Sequence, residues 1–253
     1  MALTKSSNPV LSERIFQKAR TEAYGETMTI NGTVNKIAML LLFVVAAASF
    51  TWGMVSVTST GEITSSVYPW MIGGAIGGFI LALITVFKPK AAPYTAPFYA
   101  LFEGLFLGGI SALMNASYPG IVMQAVGLTF GTLFALLFAY KAGWIKVTQK
   151  FRSGMIAATG GVMLFYLVTW IMNLFGIGNG FYYGSSLMSI GISLVIVVIA
   201  ALNLVLDFDF IERGAQSGAP KHMEWYGAFG LMVTLIWLYI ELLRLLAKIA
   251  SRD

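Results

Sequence analysis

The sequence predicts an all-α integral membrane protein with seven transmembrane helices. Three observations point to it: 58% of the 253 residues are hydrophobic and only 11% charged, the mean hydropathy is +0.79, and seven long apolar stretches follow one another along the chain. An ordinary soluble domain carries about 25% charged residues, so this much apolar surface calls for a bilayer as solvent. A hydrocarbon core about 30 Å thick needs roughly 20 apolar residues per helix. The stretches run approximately over residues 36–57, 67–87, 95–114, 120–140, 153–175, 183–206 and 226–249.

The connections are short and rich in Gly, Pro, Ser, Thr or charge, as turns require, and none separates two soluble domains. Residues 1–34 form a separate polar arm. Its Lys5, Glu13, Arg14, Lys18, Arg20, Glu22 and Glu26 are incompatible with the apolar stretch of a secretory signal. The expected division is therefore a cytoplasmic, partly helical arm over 1–34 and a transmembrane domain over 35–250.

Lys and Arg are retained on the cytoplasmic side, so their distribution orients the chain. The arm to Lys36, the 88–94 loop, the 141–152 loop and the 207–225 loop hold 13 between them, whereas 58–66, 115–119 and 176–182 hold none. The N-terminus is thus expected on the cytoplasmic side. Arg244, Lys248 and Arg252 break the pattern, because a seventh crossing carries them outside; they are expected to snorkel to the outer interface, or else the last segment stops short. Trp52, Trp70 and Tyr118 on one side, with Tyr140, Trp144, Trp225 and Tyr226 on the other, read as interfacial anchors.

The formal charge of +5 is scattered through these loops and gathers on no face, which argues against a nucleic-acid partner. Cysteine is absent, His222 is the single histidine and lies in a loop, and no Ser/His/Asp arrangement is apparent. Gly73-Gly74 and Gly160-Gly161 lie in apolar spans with no Lys-Ser/Thr after them, which disfavours phosphate binding. An enzyme, a cofactor and a firm metal site are therefore not expected. Small residues at four-residue spacing, Gly73/Gly77, Gly74/Gly78, Gly104/Gly108 and Gly127/Gly131, are expected to let helices pack closely.

Charge inside the hydrocarbon is costly and marks function by default. The embedded acids are Glu103 in the third span, Asp207 and Asp209 at the inner end of the sixth, and Glu241 in the seventh, against Arg244 as embedded base. Two acids in contact share a proton and titrate as a coupled pair, the physics of a pH sensor. Asp207 and Glu241 can form such a pair if the last helix runs through the middle of the bundle. In the other reading the cytoplasm hydrates Asp207 and Asp209 while Glu241 pairs with Arg244 one turn away.

Three segments in order, FYALFEGLFLGG, VLDFDFI and LYIELLRLL, resemble the Bax inhibitor-1 family, including its bacterial YccA-like members, over about residues 35–250. The resemblance implies a C-terminal helix at the centre of six others and a pH-dependent calcium leak governed by two hydrogen-bonded acids on the last two helices. It places those acids at Asp207, with Ile211 four residues later, and at Glu241; a basic latch for the first acid falls at Lys88 or Lys90. Glu in place of Asp at 241, a longer stretch between the acids and the arm depart from the family pattern. The expected function is a passive, pH-gated cation leak, with Asp209 and Glu103 as further lining and calcium or protons as the ions. The alternative is a non-conducting regulatory protein whose arm and last loop bind other membrane proteins, such as a membrane protease. An exchanger lacks support because no internal repeat is present.

Overall fold

A computed structural model describes residues 26–57, 63–176 and 184–252. Seven long helices follow in order: α1 (Ile30–Trp52), α2 (Tyr68–Phe87), α3 (Ala92–Ser117), α4 (Ile121–Lys141), α5 (Gln149–Leu174), α6 (Leu187–Gln216) and α7 (Met223–Ala250). All seven are long and apolar enough to cross a membrane, which makes this an all-α multi-pass protein. A 3₁₀ turn (Pro89–Ala91) precedes α3, and a short antiparallel hairpin, β1 (Val55–Val57) with β2 (Ile63–Ser65), stands where a plain loop is expected. The arm over residues 1–25 lies outside the described residues.

Helix ends follow local chemistry. Thr29 caps α1 by accepting the Gly32 N–H, and Thr148 caps α5 by accepting that of Phe151. Helix α6 runs ten residues beyond its expected end, because Phe208, Phe210 and Ile211 continue its buried face. It stops at Gly218, whose φ of +68° suits glycine, with Pro220 following. The expected long loop between α6 and α7 is therefore a turn over 217–222. Burial is greatest on α7, where no residue from 223 to 248 is exposed, so the last helix is enclosed along nearly its whole length. Tyr226, expected at an interface, is fully buried instead.

The backbone falls into two compact units, and α6 and α7 contribute to both. One contains residues 26–122 and 210–232. Here glycines do what their spacing predicts: a Cβ on Gly104 would lie 2.5 Å from the Val44 carbonyl oxygen, and one on Gly74 2.6 Å from that of Phe102. Thus α3 meets both α1 and α2 backbone to backbone. A Cβ on Gly127 or Gly131 of α4 would meet nothing within 4 Å, so those two glycines do not serve close packing.

The same unit ties the start of α1 to the start of α7. Met28 N–H donates to the Ala219 carbonyl (2.7 Å), Lys221 N–H to that of Glu26 (3.0 Å), and Thr27 bridges Pro220. The buried Glu224 carboxylate accepts the Thr29 N–H (3.0 Å) and hydroxyl (2.9 Å), and pairs with Lys36 (3.1 Å) and Lys221 (3.2 Å). The hydrogen bond to Glu224 holds the Lys221 ammonium above its usual pKa. A Cβ at Gly32 would lie 2.0 Å from the Glu224 carboxylate, so a side chain there must displace the carboxylate from its partners. Removing one partner from such a buried charged cluster costs about 3–5 kcal/mol. Glu224→Ala and Gly32→Ala should each lower the unfolding midpoint in detergent well below that of Gly127→Ala, whose site is open.

Candidate functional site: a charged column in one unit

The other unit contains residues 123–209 and 233–252, and its polar side chains lie at intervals along α5, α6 and α7. On α5, Arg152, Thr159 and Tyr166 stand seven residues apart, two helical turns each, and so share one face. At the end nearer the α6–α7 turn, the buried Arg152 guanidinium pairs with the buried Asp209 carboxylate. Two turns along α5, the Asn203 amide donates to the Thr159 hydroxyl (2.9 Å) and to the Ile199 carbonyl (2.8 Å). Two turns further, Glu241 accepts from the Tyr166 hydroxyl (2.5 Å) and pairs with Arg244 (3.0 Å), whose guanidinium also lies over the Tyr166 ring. Nearest the C-terminal end, Lys248 donates to the Ser193 hydroxyl (2.7 Å).

Between the second and third of these tiers the column turns apolar. Val162 and Ile196 are buried there, with Ile199 and Trp237 packed against them.

Asp207 and Glu241 are both buried, at 0% and 1% exposure. Helix rise sets them at different levels. Along α5, the residue held by Asp209 and the residue held by Glu241 are fourteen apart, an axial distance of about 21 Å, and Asp207 lies only about 3 Å along α6 from Asp209. Across the α6–α7 contact, from the shared Lys248–Ser193 level, Glu241 is about 10 Å along its helix and Asp207 about 21 Å along its own, a smaller axial offset in the same direction. Two tiers result, an Asp209–Arg152 pair and a Glu241–Arg244–Tyr166 cluster.

Charge accounting explains the arrangement. Sequence reading took Arg152 for a loop residue and Arg244 for the only embedded base. In the structure Arg152 sits in the first turn of α5 facing inward, and Lys248 is 6% exposed. Each embedded carboxylate of the two tiers therefore has a guanidinium beside it, which offsets the desolvation of both. Arg244 is received by Tyr166 and Glu241, and Lys248 by Ser193 of α6. The signal that finds these residues in the sequence is the seven-residue spacing of Arg152, Thr159 and Tyr166.

A match to the Bax inhibitor 1-like family spans residues 8–251. The chain belongs to that family. Comparison with curated proteins gave no match, and neither did comparison with solved structures. Because the family match begins at residue 8, most of the arm falls inside the family pattern and is not an addition to it. Of the other residues singled out for this Bax inhibitor 1-like chain, Glu103 is half-buried on α3, where its carboxylate lies against Gly78. Lys88 and Lys90, at the 3₁₀ turn, are exposed and lie in the unit that does not contain Asp207. Among the described residues, no group of three His, Asp or Glu side chains is placed to hold a metal ion.

The Arg152–Asp209 pair makes a double substitution informative. Asp209→Leu alone leaves a buried guanidinium without its carboxylate and should cost about 3–5 kcal/mol, whereas Arg152→Met with Asp209→Leu should recover most of that loss. Chemical unfolding of wild type and the two variants in one detergent measures it.

Proposed function

We propose that this chain is a pH-sensitive passive cation leak of a bacterial inner membrane, with calcium as the permeant ion and the N-terminus cytoplasmic. The observation that carries the reading is the burial of three acids, Asp207, Asp209 and Glu241, at two depths in one unit of apolar helices. Charge at such depth is expensive, and membrane proteins keep it where ions or protons travel. Carboxylates, hydroxyls and amide oxygens are the ligands a calcium ion takes, and the column offers all three in sequence. The excess of Lys and Arg on one set of loops supports the orientation.

The pH response follows from the tiers. Asp209 and Glu241 each sit beside an arginine. A proton taken up by either acid would release the guanidinium from its partner and change the charge an ion meets at that level. The mechanism requires no catalytic group and no cofactor.

Calcium flux into proteoliposomes across pH tests the reading. Wild type should conduct with a pH-dependent rate, and Asp209→Asn and Glu241→Gln should each flatten that dependence; flux and pH response unchanged in both variants would reject the assignment. Deleting residues 1–25 separates this from a non-conducting regulator that binds a membrane protease or another membrane protein. The deletion leaves the Thr29 cap intact and should leave the leak intact, while a regulator that binds through its arm would lose activity.

A further inference from the structure

We propose that the turn between α4 and α5 is a docking surface for anionic phospholipid headgroups, formed by Lys141, Lys146 and Lys150 beside the exposed ring of Trp144. The inference stands apart from the leak reading and does not rest on it.

Hydrogen bonds fix the turn at both ends. As α4 finishes, the Ala142 N–H donates to the Phe138 carbonyl (2.8 Å) and the Trp144 N–H to that of Ala139 (3.0 Å). Gly143 takes the φ of +73° that such a helix end needs. Further on, the Thr148 N–H donates to the Lys146 carbonyl (3.0 Å), and the Thr148 hydroxyl caps α5. Lys141 therefore closes α4, while Lys146 and Lys150 flank the cap of α5, and all three are exposed.

The surroundings select lipid as the occupant. Phe134 and Phe138, 62% and 63% exposed, stand four residues apart on a helix long and apolar enough to cross a membrane, so they face acyl chains. Trp144 is 74% exposed and sets its ring edge-on against Phe138, with 5.5 Å between centroids. The indole thus lies on the lipid side of α4 at the helix end, where tryptophan anchors at headgroup level. Lys141, three residues beyond Phe138, shares that face, and its long stem carries the ammonium out to the headgroups.

Charge completes the fit. The sequence contains no Asp or Glu between Glu103 and Asp207, and the acids of this unit among the described residues, Asp207, Asp209 and Glu241, are all buried. The three lysines form no ion pair with a described residue, so they present unopposed positive charge to the phosphates of a bilayer.

A chain without cysteine accepts one thiol reporter at a time. With bimane on Ala142→Cys, an exposed position in the turn, quenching by brominated phosphatidylglycerol and by brominated phosphatidylcholine in vesicles measures which lipid sits there. Phosphatidylglycerol should be favoured by about fivefold, the effect of one lysine on one anionic headgroup. High salt should shrink that preference. Lys141→Gln, Lys146→Gln and Lys150→Gln together should bring it to parity, and they leave the Thr148 cap in place. The same reporter on Phe175→Cys, 77% exposed just past the far end of α5, should show no preference. Equal quenching by the two lipids at position 142 would overturn the proposal and assign the lysines to a soluble acidic partner. A preference that survives the triple substitution, or is as strong at position 175, would overturn it as well, because the lysines would not be its source.

Discussion

Charge placed inside an apolar helical unit must find opposite charge or hydrogen bonds at its own depth, and that constraint organises this protein. A lone ion at low dielectric costs several kcal/mol even after relaxation. Arg152 meets Asp209, Arg244 meets Glu241, and Lys248 meets the Ser193 hydroxyl, each across a helix–helix contact or one helical turn. These contacts set the register of α5 against α6 and α7. A one-turn slip of α6 would move Asp209 from Arg152 and Ser193 from Lys248 by about 5 Å each.

The same register separates functions along the column. Polar tiers stand at two depths, with the buried Val162 and Ile196 between them. In the other unit Glu224 does comparable structural work at a helix start, where its carboxylate serves two N-terminal donors and two ammonium groups together. Gly32 permits that approach, so a residue without a side chain and one with a buried charge form a single device.

The seven spans were legible because length and hydropathy decide them, and the close approach of α3 to its neighbours was legible in Gly74, Gly104 and Gly108. The limits of α6 were not. The acids and arginine of LDFDFIERG read as a loop by composition, yet Phe208, Phe210 and Ile211 keep the helix buried to Gln216. Among the site residues, Asp207, Asp209 and Glu241 stood out as acids in apolar surroundings, and all three are buried. Their grouping could not be read, because spacing within one helix says nothing of its register against another. The resemblance pointed to an Asp207–Glu241 contact, and the helix rise sets those two residues at different depths. Arg152, Asn203 and Tyr166 escaped notice for a related reason: each becomes significant only through a partner on a different helix.

The account depends on that separation in depth, and cross-linking measures it directly. In a chain free of native cysteine, thiol pairs at 166 with 241 and at 207 with 241 can be treated with a short bifunctional thiol reagent in the membrane. The tiers predict efficient cross-linking for Tyr166→Cys with Glu241→Cys and none for Asp207→Cys with Glu241→Cys. Efficient cross-linking of the 207 and 241 positions would contradict them and restore a single shared-proton pair.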